Sequence, residues 1–213
     1  MRVNIGCGTT PTSGWENFDN SWSLKLSKRP LLTALLYKLK AIDPPQMSYI
    51  AFCRENNINW ADATRKIPLP DASVELLYSS HMLEHLDRDE ARSFLTEARR
   101  VLKAGGTIRL AVPDLAKQID AYVRNKDADE FIKATLMTVP RPRTWSERLR
   151  MLLVGTRHHQ WMYDGGSLSR LLRDCGFANA EIIAAGETTI IDPKPLDLRE
   201  RESESLYVEA VKG

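Results

Sequence analysis

The sequence predicts a doubly wound α/β fold, in which a seven-stranded, mostly parallel sheet carries helices on both faces. Short apolar segments typical of strands alternate along the chain with longer segments of helical periodicity, which is the pattern of a parallel sheet whose strands are joined by helices. The last two strands are separated by a polar loop alone, so one antiparallel strand is expected near an edge of the sheet. The length of 213 residues fits a single domain over 1–213.

The predicted strands are short, and most of them are bounded by turn residues. They are RVNIG (2–6), WENFD (15–19), NINWAD (57–62), SVELLYS (73–79), TIRLAVP (107–113), NAEIIAAGE (179–187) and ESLYVEAVKG (204–213). The clearest helix begins at about residue 88, where Asp87 or Asp89 can cap it, and Gly105-Gly106 is expected to end it. A second amphipathic helix, SLSRLLRDCGF, precedes the sixth strand.

Two helical insertions interrupt this alternation, at about 21–56 and 117–157. In the first, apolar residues recur on one face of a helix over 31–42, with lysines on the other face; they are Leu31, Leu32, Leu35, Leu36, Leu39 and Ile42. We expect this helix to be a lid or an interface, with a weak peripheral contact to a membrane surface as the alternative. The second insertion is rich in arginine, and a charged helix face is favoured there over a clamp for anionic substrates. The arginines concerned are Arg141, Arg143, Arg148, Arg150 and Arg157.

Composition excludes several classes of protein. The net charge is +2 and no long run of Lys and Arg stands out, so nucleic acid is not an expected partner. The three cysteines are far apart and form no C-x-x-C pair, which indicates reduced thiols in a cytoplasm rather than a disulfide framework. No signal peptide and no apolar run long enough to span a membrane is present. We therefore expect a cytoplasmic protein without an integral membrane segment.

A glycine turn and an acid follow the first two strands. Gly6 and Gly8 come just after the first strand, and Asp19 ends the second. Ligands of open parallel sheets bind beyond the carboxyl ends of the strands. A glycine lets a ligand approach the backbone closely, and a carboxylate can accept both hydroxyl groups of a ribose. These residues are the first candidates for a ligand site.

A dinucleotide does not fit this turn. The dinucleotide fingerprint is G-x-G-x-x-G at the start of a helix, with an acid about 20 residues further on. Here Pro11 stands at the third glycine position, TTPTSG is a poor helix, and Asp19 follows Gly8 by only 11 residues. A pyrophosphate would find no helix N-terminus to bind. A cofactor with one ribose and no phosphate fits better than NAD or FAD.

Five segments together resemble the class I S-adenosylmethionine-dependent methyltransferases, and most closely the small type-11 branch that is often associated with bacterial cell-surface glycan genes. They are NIGCG, WENFD, WADATRKIPLPDASVELLYSSHMLEHL, EARRVLKAGGTIRLAVPD and GGSLSRLLRDCGF, in the order of the family. The resemblance covers most of the chain outside 21–56 and 117–157. It implies a Rossmann-like fold with S-adenosylmethionine as the cofactor.

The resemblance also implies roles for individual residues. The turn at 6–8 would lie against the methionine part of the cofactor, and Asp19 would hold the ribose. Asp62 and the backbone of Ala63 would contact the adenine. Ser79 would lie beside the cofactor's ammonium group. For Asp62 an ordinary role at the exit of a strand is nearly as well supported, because WADAT is also a common strand exit.

The chain departs from the family pattern in two places. Asn4 stands where the glycine motif of the family usually has an acid, so a charge-assisted contact with the cofactor is lost. The helix that normally follows the first strand is shortened or missing, and the helix over 31–42 would then cover that side of the pocket. Cys7, within the turn, is expected to be a small packing residue rather than a nucleophile.

The segment SSHMLEHLD (79–87) contains H-x-x-E-H, the pattern of an inverted zinc-peptidase motif. That interpretation needs both His81 and His85 on one long helix with Glu84 between them. Here a strand ends at about Ser79 and a new helix is capped by residue 89, so little more than one turn remains. The resemblance implies that His81, at the exit of the fourth strand, faces the acceptor and that Glu84 and His85 are local packing and hydrogen-bonding residues. We expect His85 to support the turn and neither histidine to bind zinc.

A second candidate for the acceptor side is HHQWMYDGGS (158–167), which places aromatic and hydrogen-bonding side chains just before a helix. Aromatic rings next to polar groups suit a sugar or an aromatic acceptor, whereas Asp164 or Ser167 would serve equally well as a helix cap. His159 is the rival of His81 as a general base.

The expected function is the transfer of a methyl group from S-adenosylmethionine to a small-molecule or glycan acceptor. His81 and His159 are the candidate catalytic residues; Asn4, Gly6, Cys7, Gly8, Asp19, Asp62, Ala63 and Ser79 are the candidate cofactor-binding residues; no metal is expected. The alternatives are an inactive methyltransferase-like binding domain and, less favoured, a zinc hydrolase built on H-x-x-E-H. The sequence does not indicate the acceptor or the oligomeric state.

Overall fold

A single seven-stranded sheet organises the protein. The computed structural model describes residues 1–138, 141, 144 and 158–213. The strands are β1 (Arg2–Ile5), β2 (Glu16–Asp19), β3 (Ile58–Trp60), β4 (Val74–Ser80), β5 (Leu102–Pro113), β6 (Phe177–Ile183) and β7 (Ser205–Lys212), in the spatial order β3-β2-β1-β4-β5-β7-β6. Strand β7 runs antiparallel to β5 and β6, and the other pairs are parallel. The predicted fold class is confirmed.

Helices connect most of these strands. Within the described residues they are α1 (Trp22–Ser27), α2 (Pro30–Lys38), α3 (Pro44–Glu55), α4 (Arg88–Val101), α5 (Leu115–Asn125), α6 (Ala128–Thr135) and α7 (Gly165–Asp174), with a 3₁₀ turn at Leu83–His85. The direction of strand order reverses between β1 and β4. In an open α/β sheet this switch point forms the crevice in which ligands bind, and the candidate residues after β1, β2 and β4 all lie at this edge.

Helix α4 starts as predicted and ends earlier. Asp87 accepts the N–H of Glu90, whose side chain accepts the N–H of Asp87 in return, which is a capping box. The helix stops before Leu102, because that residue already pairs with Val74 as the start of β5. The prediction that Gly105-Gly106 ends the helix was wrong, since strand pairing ends it first. The glycines instead lie in the irregular beginning of β5.

The insertion at 21–56 forms three helices that pack beside the glycine turn. Leu24 of α1 and Cys53 of α3 form one apolar cluster with Cys7 and Ile58. Residues 6–15 join β1 to β2 without a helix, as the sequence predicted. The side of the sheet that this missing helix would cover therefore receives α1 and α3 instead.

The leucine stripe predicted for a helix over 31–42 faces solvent in α2. Leu31, Leu35 and Leu39 are 88%, 53% and 66% exposed, and the helix itself ends at Lys38. Only Leu36 and Ile42 of the predicted set pack into an apolar cluster. No helix in the described residues is long and apolar enough to cross a membrane.

The proposed arginine clamp of the second insertion falls mostly outside the described residues. Arg143, Arg148, Arg150 and Arg157 belong to that part of the chain, while Arg141 is described and exposed. The described part of this insertion consists of α5 and α6, which pack on each other through Tyr122 and Phe131.

A buried ion pair fixes the position of β7 beside β5. Arg109 is fully buried, and its Nη1 lies 2.5 Å from Oε1 of Glu209. Burial alone would raise the pKa of Glu209, but hydrogen bonds from Thr188, Thr189 and Arg109 outweigh it and leave this pKa below its ordinary value. Arg109 also donates to the carbonyl of Leu198. The pair thus holds the loop between β6 and β7 on the sheet, and with it Ser205, the first residue of β7.

Candidate active site

The glycine turn after β1 is held by the backbone of β2. The N–H groups of Gly6 and Cys7 both donate to the carbonyl of Phe18, at 2.8 and 3.1 Å. Gly6 and Gly8 have φ values of +72° and +49°, a region that favours glycine. A Cβ at Gly6 would lie 2.6 Å from Cγ of Met82. The turn is therefore closely packed against the segment that follows β4 and leaves no room for a side chain at Gly6.

Asp19 holds the same turn with its carboxylate. Its Oδ2 accepts the N–H of Gly8 at 3.1 Å, and its Oδ1 accepts the N–H of Ser21 at 2.7 Å. The side chain is only half-buried. A carboxylate offers about four acceptor positions, so two remain for further donors such as the hydroxyl groups of a ribose. The position is the one that the sequence predicted for a ribose-binding acid.

Asn4 on β1 supports the turn through its side-chain amide. It is buried, and its amide donates to the carbonyl of Thr10 and to the hydroxyl of Thr12, at 3.1 and 3.0 Å. Asn17 on β2 adds a second brace, because its Oδ1 accepts the N–H of Thr12 at 2.8 Å. The sequence analysis missed the roles of Thr12 and Asn17, although two asparagines within two adjacent short strands are an unusual feature for a sheet interior.

Cys7 is a packing residue in this structure. Burial, and then the charge of Asp19, raises the pKa of its thiol to about 12. A thiol with so high a pKa carries almost no thiolate at neutral pH and is a poor nucleophile. Its side chain packs between α1 and α3.

Asp62 forms a tight turn at the end of β3. Its Oδ1 accepts the N–H and the hydroxyl of Thr64, at 3.2 and 2.7 Å, and Arg65 lies 3.4 Å from Oδ2. Ala63 next to it is buried. The N–H of Ala61 donates to the carbonyl of Asp19, so this turn is fixed next to the glycine turn. Both interpretations of Asp62, as a strand exit and as an adenine contact, fit this geometry.

Ser79 and His81 end β4 at the switch point. Ser79 is buried, and its Oγ has no hydrogen-bond partner among the described residues. That Oγ lies 4.0 Å from the Cβ position of Gly6, so an unpaired hydroxyl faces the glycine turn. His81 has φ +48°, a conformation that is uncommon outside glycine and is often found at functional sites.

His81 is held on both ring nitrogens. Its Nε2 lies 2.8 Å from Oγ of Ser205 on β7, and its Nδ1 lies 3.4 Å from Oε1 of Glu84. The side chain is 7% exposed. A carboxylate on one nitrogen and a hydroxyl on the other orient the imidazole in the manner of a base and its positioning acid.

Glu84 lies at the centre of three imidazoles. Nε2 of His85 and Nε2 of His159 are each 3.9 Å from its Oε1, the same oxygen that faces His81. The carbonyl of Glu84 accepts the N–H groups of Gln160 and Trp161, which docks the segment at 158–161 on the turn after β4. The sequence did not predict this contact between the two candidate motifs.

The long helix that a zinc-peptidase motif requires is not formed. Between β4 and α4, both fully described, lies only the 3₁₀ turn Leu83–His85. His81 precedes that turn, so the two histidines of H-x-x-E-H do not share a helix face. This agrees with the argument made from the sequence.

The segment HHQWMYDGGS provides the predicted cap of the helix that follows it, and its role on the acceptor side stays a prediction. Asp164 and Ser167 form a capping box for α7, so these two residues are structural. Trp161 is 42% exposed and stacks with the guanidinium of Arg88 at 4.9 Å. Burial lowers the pKa of His159, and the charge of Glu84 only partly offsets this.

Comparison with known families and structures identifies relatives of this arrangement. A family model described as "Methyltransferase domain" matches residues 3–110, about half of the chain, from β1 into β5. No curated protein matches the chain.

Two solved structures resemble the whole chain. A SAM-dependent methyltransferase from Thermotoga maritima, described as a possible histamine N-methyltransferase, has 17% identity and a TM-score of 0.52, over 100% of this chain and 81% of its own. A SAM-dependent methyltransferase from Methanosarcina mazei has 15% identity and a TM-score of 0.53, over 99% and 91%. At such low sequence identities, the similarity to these two structures shows a shared fold and nothing more.

Replacing Asp19 by alanine tests the ribose position. Losing a carboxylate that accepts ribose hydroxyls is expected to cost about 1.5–3 kcal/mol of binding, or about 10- to 100-fold in the dissociation constant of S-adenosylmethionine. Isothermal titration calorimetry measures this constant. Asp192→Ala, which removes an exposed acid near the opposite end of β1, is the control and should bind like the wild type. A folded Asp19→Ala protein with unchanged affinity would remove Asp19 from the cofactor site.

Proposed function

Because the chain belongs to the methyltransferase-domain family and is an S-adenosylmethionine-dependent methyltransferase, we propose that it methylates a hydroxyl group of a small-molecule or glycan acceptor, with His81 as the general base. The observation that supports this is the position of His81. Its imidazole lies at the end of β4, next to the glycine turn, with a carboxylate on one nitrogen and a hydroxyl on the other. No other histidine follows a strand at the switch point within the described residues.

The residues at the switch point fit the cofactor. Gly8 leaves its backbone accessible, since a Cβ there would meet nothing within 4 Å, and the hydroxyl of Ser79, unpaired among the described residues, offers a partner for an ammonium or carboxylate group. In the proposed arrangement the turn Gly6, Cys7 and Gly8 faces the methionine part, and Asp19 accepts the ribose hydroxyls.

Three further residues complete the proposed cofactor site. Asp62 and the backbone of Ala63 would contact the adenine at the end of β3. Asn4 acts indirectly, since its amide holds the turn through Thr10 and Thr12. An amide at Asn4 replaces a charged contact with a neutral one, so we infer that Asp19 supplies most of the charge-assisted binding.

The chemistry places few demands on the protein beyond alignment and proton removal. When bound, S-adenosylmethionine supplies a sulfonium methyl group that is already strongly electrophilic. The protein must hold the acceptor hydroxyl in line with that methyl group. The negative charge of Glu84, 3.4 Å from Nδ1 of His81, favours the tautomer with the proton on Nδ1, in which Nε2 can accept one. The hydroxyl of Ser205 lies 2.8 Å from Nε2 and donates to the carbonyl of Glu200 at 3.3 Å. Turned from that carbonyl toward Nε2, it would give its proton to Nε2 and take the acceptor's proton, because a hydroxyl both donates and accepts.

Replacing His81 tests this assignment. General-base assistance typically contributes about 10²- to 10⁴-fold, so His81→Ala should lower turnover on a hydroxyl acceptor by that factor and leave the affinity for S-adenosylmethionine nearly unchanged. Transfer of a radiolabelled methyl group to glycan, phenol and amine acceptors provides the assay. His159→Ala belongs in the same assay, since His159 is the rival base. His158→Ala, which removes the one histidine that forms no ion pair with Glu84 among the described residues, is the control.

Two results would contradict the proposal. Full turnover by His81→Ala on the true acceptor would leave His81 as a structural residue. A protein that binds S-adenosylmethionine and methylates nothing in a broad acceptor screen would instead be an inactive binding domain, which is the alternative from another functional class.

We also propose that α2 makes a weak peripheral contact with an anionic lipid surface, in the cytoplasm, where the three free cysteines remain reduced. Leu31, Leu35 and Leu39 are exposed on α2. The chain between Asp19 and Asp43 contains no acid and five cations, which are Lys25, Lys28, Arg29, Lys38 and Lys40. Exposed leucines flanked by basic residues favour an interface of anionic headgroups over a neutral one.

Vesicle binding tests this contact. Burying one leucine contributes about 1.5–3 kcal/mol, so Leu35→Asp should weaken co-sedimentation with phosphatidylglycerol-containing vesicles by about 10-fold or more. Ile191→Asp, which changes a fully exposed apolar residue on another loop, is the matched control. Wild-type binding should fall with added salt and be absent with phosphatidylcholine alone. Equal binding by the two variants, or a wild-type dimer that Leu35→Asp dissociates, would overturn the lipid assignment.

A further inference from the structure

The carboxylate of Glu84 is buried, and among the described residues no hydrogen-bond donor compensates for its lost hydration. Glu84 is fully buried, and neither of its side-chain oxygens accepts a hydrogen bond from the described residues. A buried carboxylate is normally paired with a cation or coordinated to a metal, because the loss of its hydration is otherwise not compensated. The nearest cationic candidates for Glu84 are three imidazole nitrogens at 3.4–3.9 Å, so the protein places in its interior a strong oxygen ligand that accepts no hydrogen bond from the described residues.

Two imidazole nitrogens lie within reach of the same point. Nε2 of His85 and Nε2 of His159 each lie 3.9 Å from Oε1 of Glu84, and one ligand atom from each of the three residues lies within 4.8 Å of the other two. Ligands bound at about 2.1 Å in a tetrahedral site are roughly 3.4 Å from each other. Small side-chain rotations would bring the three atoms to that spacing.

The tautomer of His85 is already the one that a metal requires. Its Nδ1 lies 3.0 Å from the carbonyl of His158, and a carbonyl can only accept, so Nδ1 carries the proton. Nε2 of the neutral ring then has a free lone pair on the side of Glu84. A metal-ligating histidine typically makes this hydrogen bond through its other nitrogen.

Hydrogen bonds on either side of His159, the third ligand, hold its segment against Glu84 and His85. The N–H groups of Gln160 and Trp161 donate to the carbonyl of Glu84 at 2.7 and 3.2 Å, and the side chain of Gln160 donates to the carbonyl of His85 at 3.0 Å. His159 is buried, and its ring lies edge-on to that of His85 with 5.1 Å between the centroids. The cluster is thus assembled by two separate segments that several hydrogen bonds fix to each other.

We propose that Glu84, His85 and His159 bind one divalent transition-metal ion. Two imidazoles and one carboxylate suit Zn²⁺ and its first-row neighbours such as Fe²⁺, Co²⁺ and Mn²⁺, whereas Mg²⁺ and Ca²⁺ prefer oxygen ligands alone. This proposal replaces the expectation that the H-x-x-E-H segment binds no metal. His81 is not a ligand in this arrangement, and the third ligand comes from a segment that the motif does not contain.

The described residues supply three ligands to this site, and that number indicates a role beyond structure. Structural zinc sites are closed by four protein ligands, whereas sites with three keep a position open for water or substrate. Because Glu84 lies on the Nδ1 side of His81 and Ser205 on the Nε2 side, the ion would bind an oxygen of the acceptor other than the hydroxyl whose proton passes to Nε2, and would orient the acceptor. This role rests on the proposed methylation of a hydroxyl, but the binding of the ion itself does not.

Metal content tests the site without any activity measurement. The full-length protein is dialysed against a chelator, loaded with Zn²⁺, passed through a desalting column and analysed by inductively coupled plasma mass spectrometry. One zinc per chain is expected for the wild type and for the control His158→Ala. Glu84→Gln and the partly exposed His85→Ala should each weaken binding by at least about 10- to 100-fold, the loss that follows removal of groups that only support a metal ligand. His85→Ala keeps the test valid if Glu84→Gln does not fold.

Spectroscopy and stability separate this site from adventitious binding. Co²⁺ in place of Zn²⁺ should give ligand-field bands without the intense charge-transfer band of a thiolate, which excludes the three cysteines as ligands. A saturating metal should raise the melting temperature of the wild type by roughly 5–10 °C and that of His85→Ala by much less. Absence of bound metal in the wild type, or equal zinc content in the wild type and both ligand variants, would overturn the proposal.

Turnover distinguishes the role of the ion from its binding. If the zinc site holds an oxygen of the acceptor, the metal-free protein should lose methyl transfer and regain it with zinc, while its affinity for S-adenosylmethionine stays unchanged. Unchanged turnover of the metal-free protein would overturn the role in the reaction. Loss of S-adenosylmethionine binding in the presence of intact zinc binding would count against the proposed cofactor site instead.

Discussion

The site depends on one backbone constraint, the fixing of the turn after β1 by the end of β2. Phe18 accepts two N–H groups of this turn through its carbonyl, and Asp19 accepts a third through its carboxylate. Because Gly6 also contacts Met82, the same turn determines where the segment after β4 lies. Glycine can adopt the positive φ values that the turn requires. The hydrogen bonds then select one of the conformations open to it.

A second constraint acts across the switch point and positions the groups that face the acceptor. Arg109 and Glu209 hold β7 next to β5 by a buried ion pair, and the first residue of β7 is Ser205, which contacts His81. Removing one member of such a pair typically costs about 3–5 kcal/mol. The sheet therefore supplies rigidity on both sides of β4, with the cofactor turn on one side and the imidazole cluster on the other.

Much of the fold and half of the site could be predicted from the sequence, because these features depend on local patterns. Alternating strands and helices, the glycine turn and an acid at the end of the second strand are all local signals. Gly105-Gly106 misled the analysis for the same reason, since a local stop signal was overridden by pairing between Leu102 and Val74. Periodicity placed the leucines of α2 on one helical face, but it does not show whether another element covers that face.

The imidazole cluster could not be predicted, because it depends on contacts between distant parts of the chain. His85 and the carbonyl of His158 are separated by 73 positions, and nothing in either motif indicates that they meet. The burial of Glu84 and of Arg109 could not be predicted from the local sequence either, because a charged residue ordinarily faces solvent. Sequence patterns found the candidate residues, and the topology of the sheet decided which of them act together.

Equilibrium binding of S-adenosylmethionine tests the central claim most directly. With the cofactor at 100 times its dissociation constant, the free energy of unfolding should rise by about 2.7 kcal/mol, which for a chain of this length shifts the melting temperature by roughly 5–10 °C. S-adenosylhomocysteine should have a similar effect, and NAD should have none, because the turn after β1 offers no helix N-terminus for a pyrophosphate. A folded protein whose melting temperature is unchanged by both S-adenosylmethionine and S-adenosylhomocysteine would contradict the account.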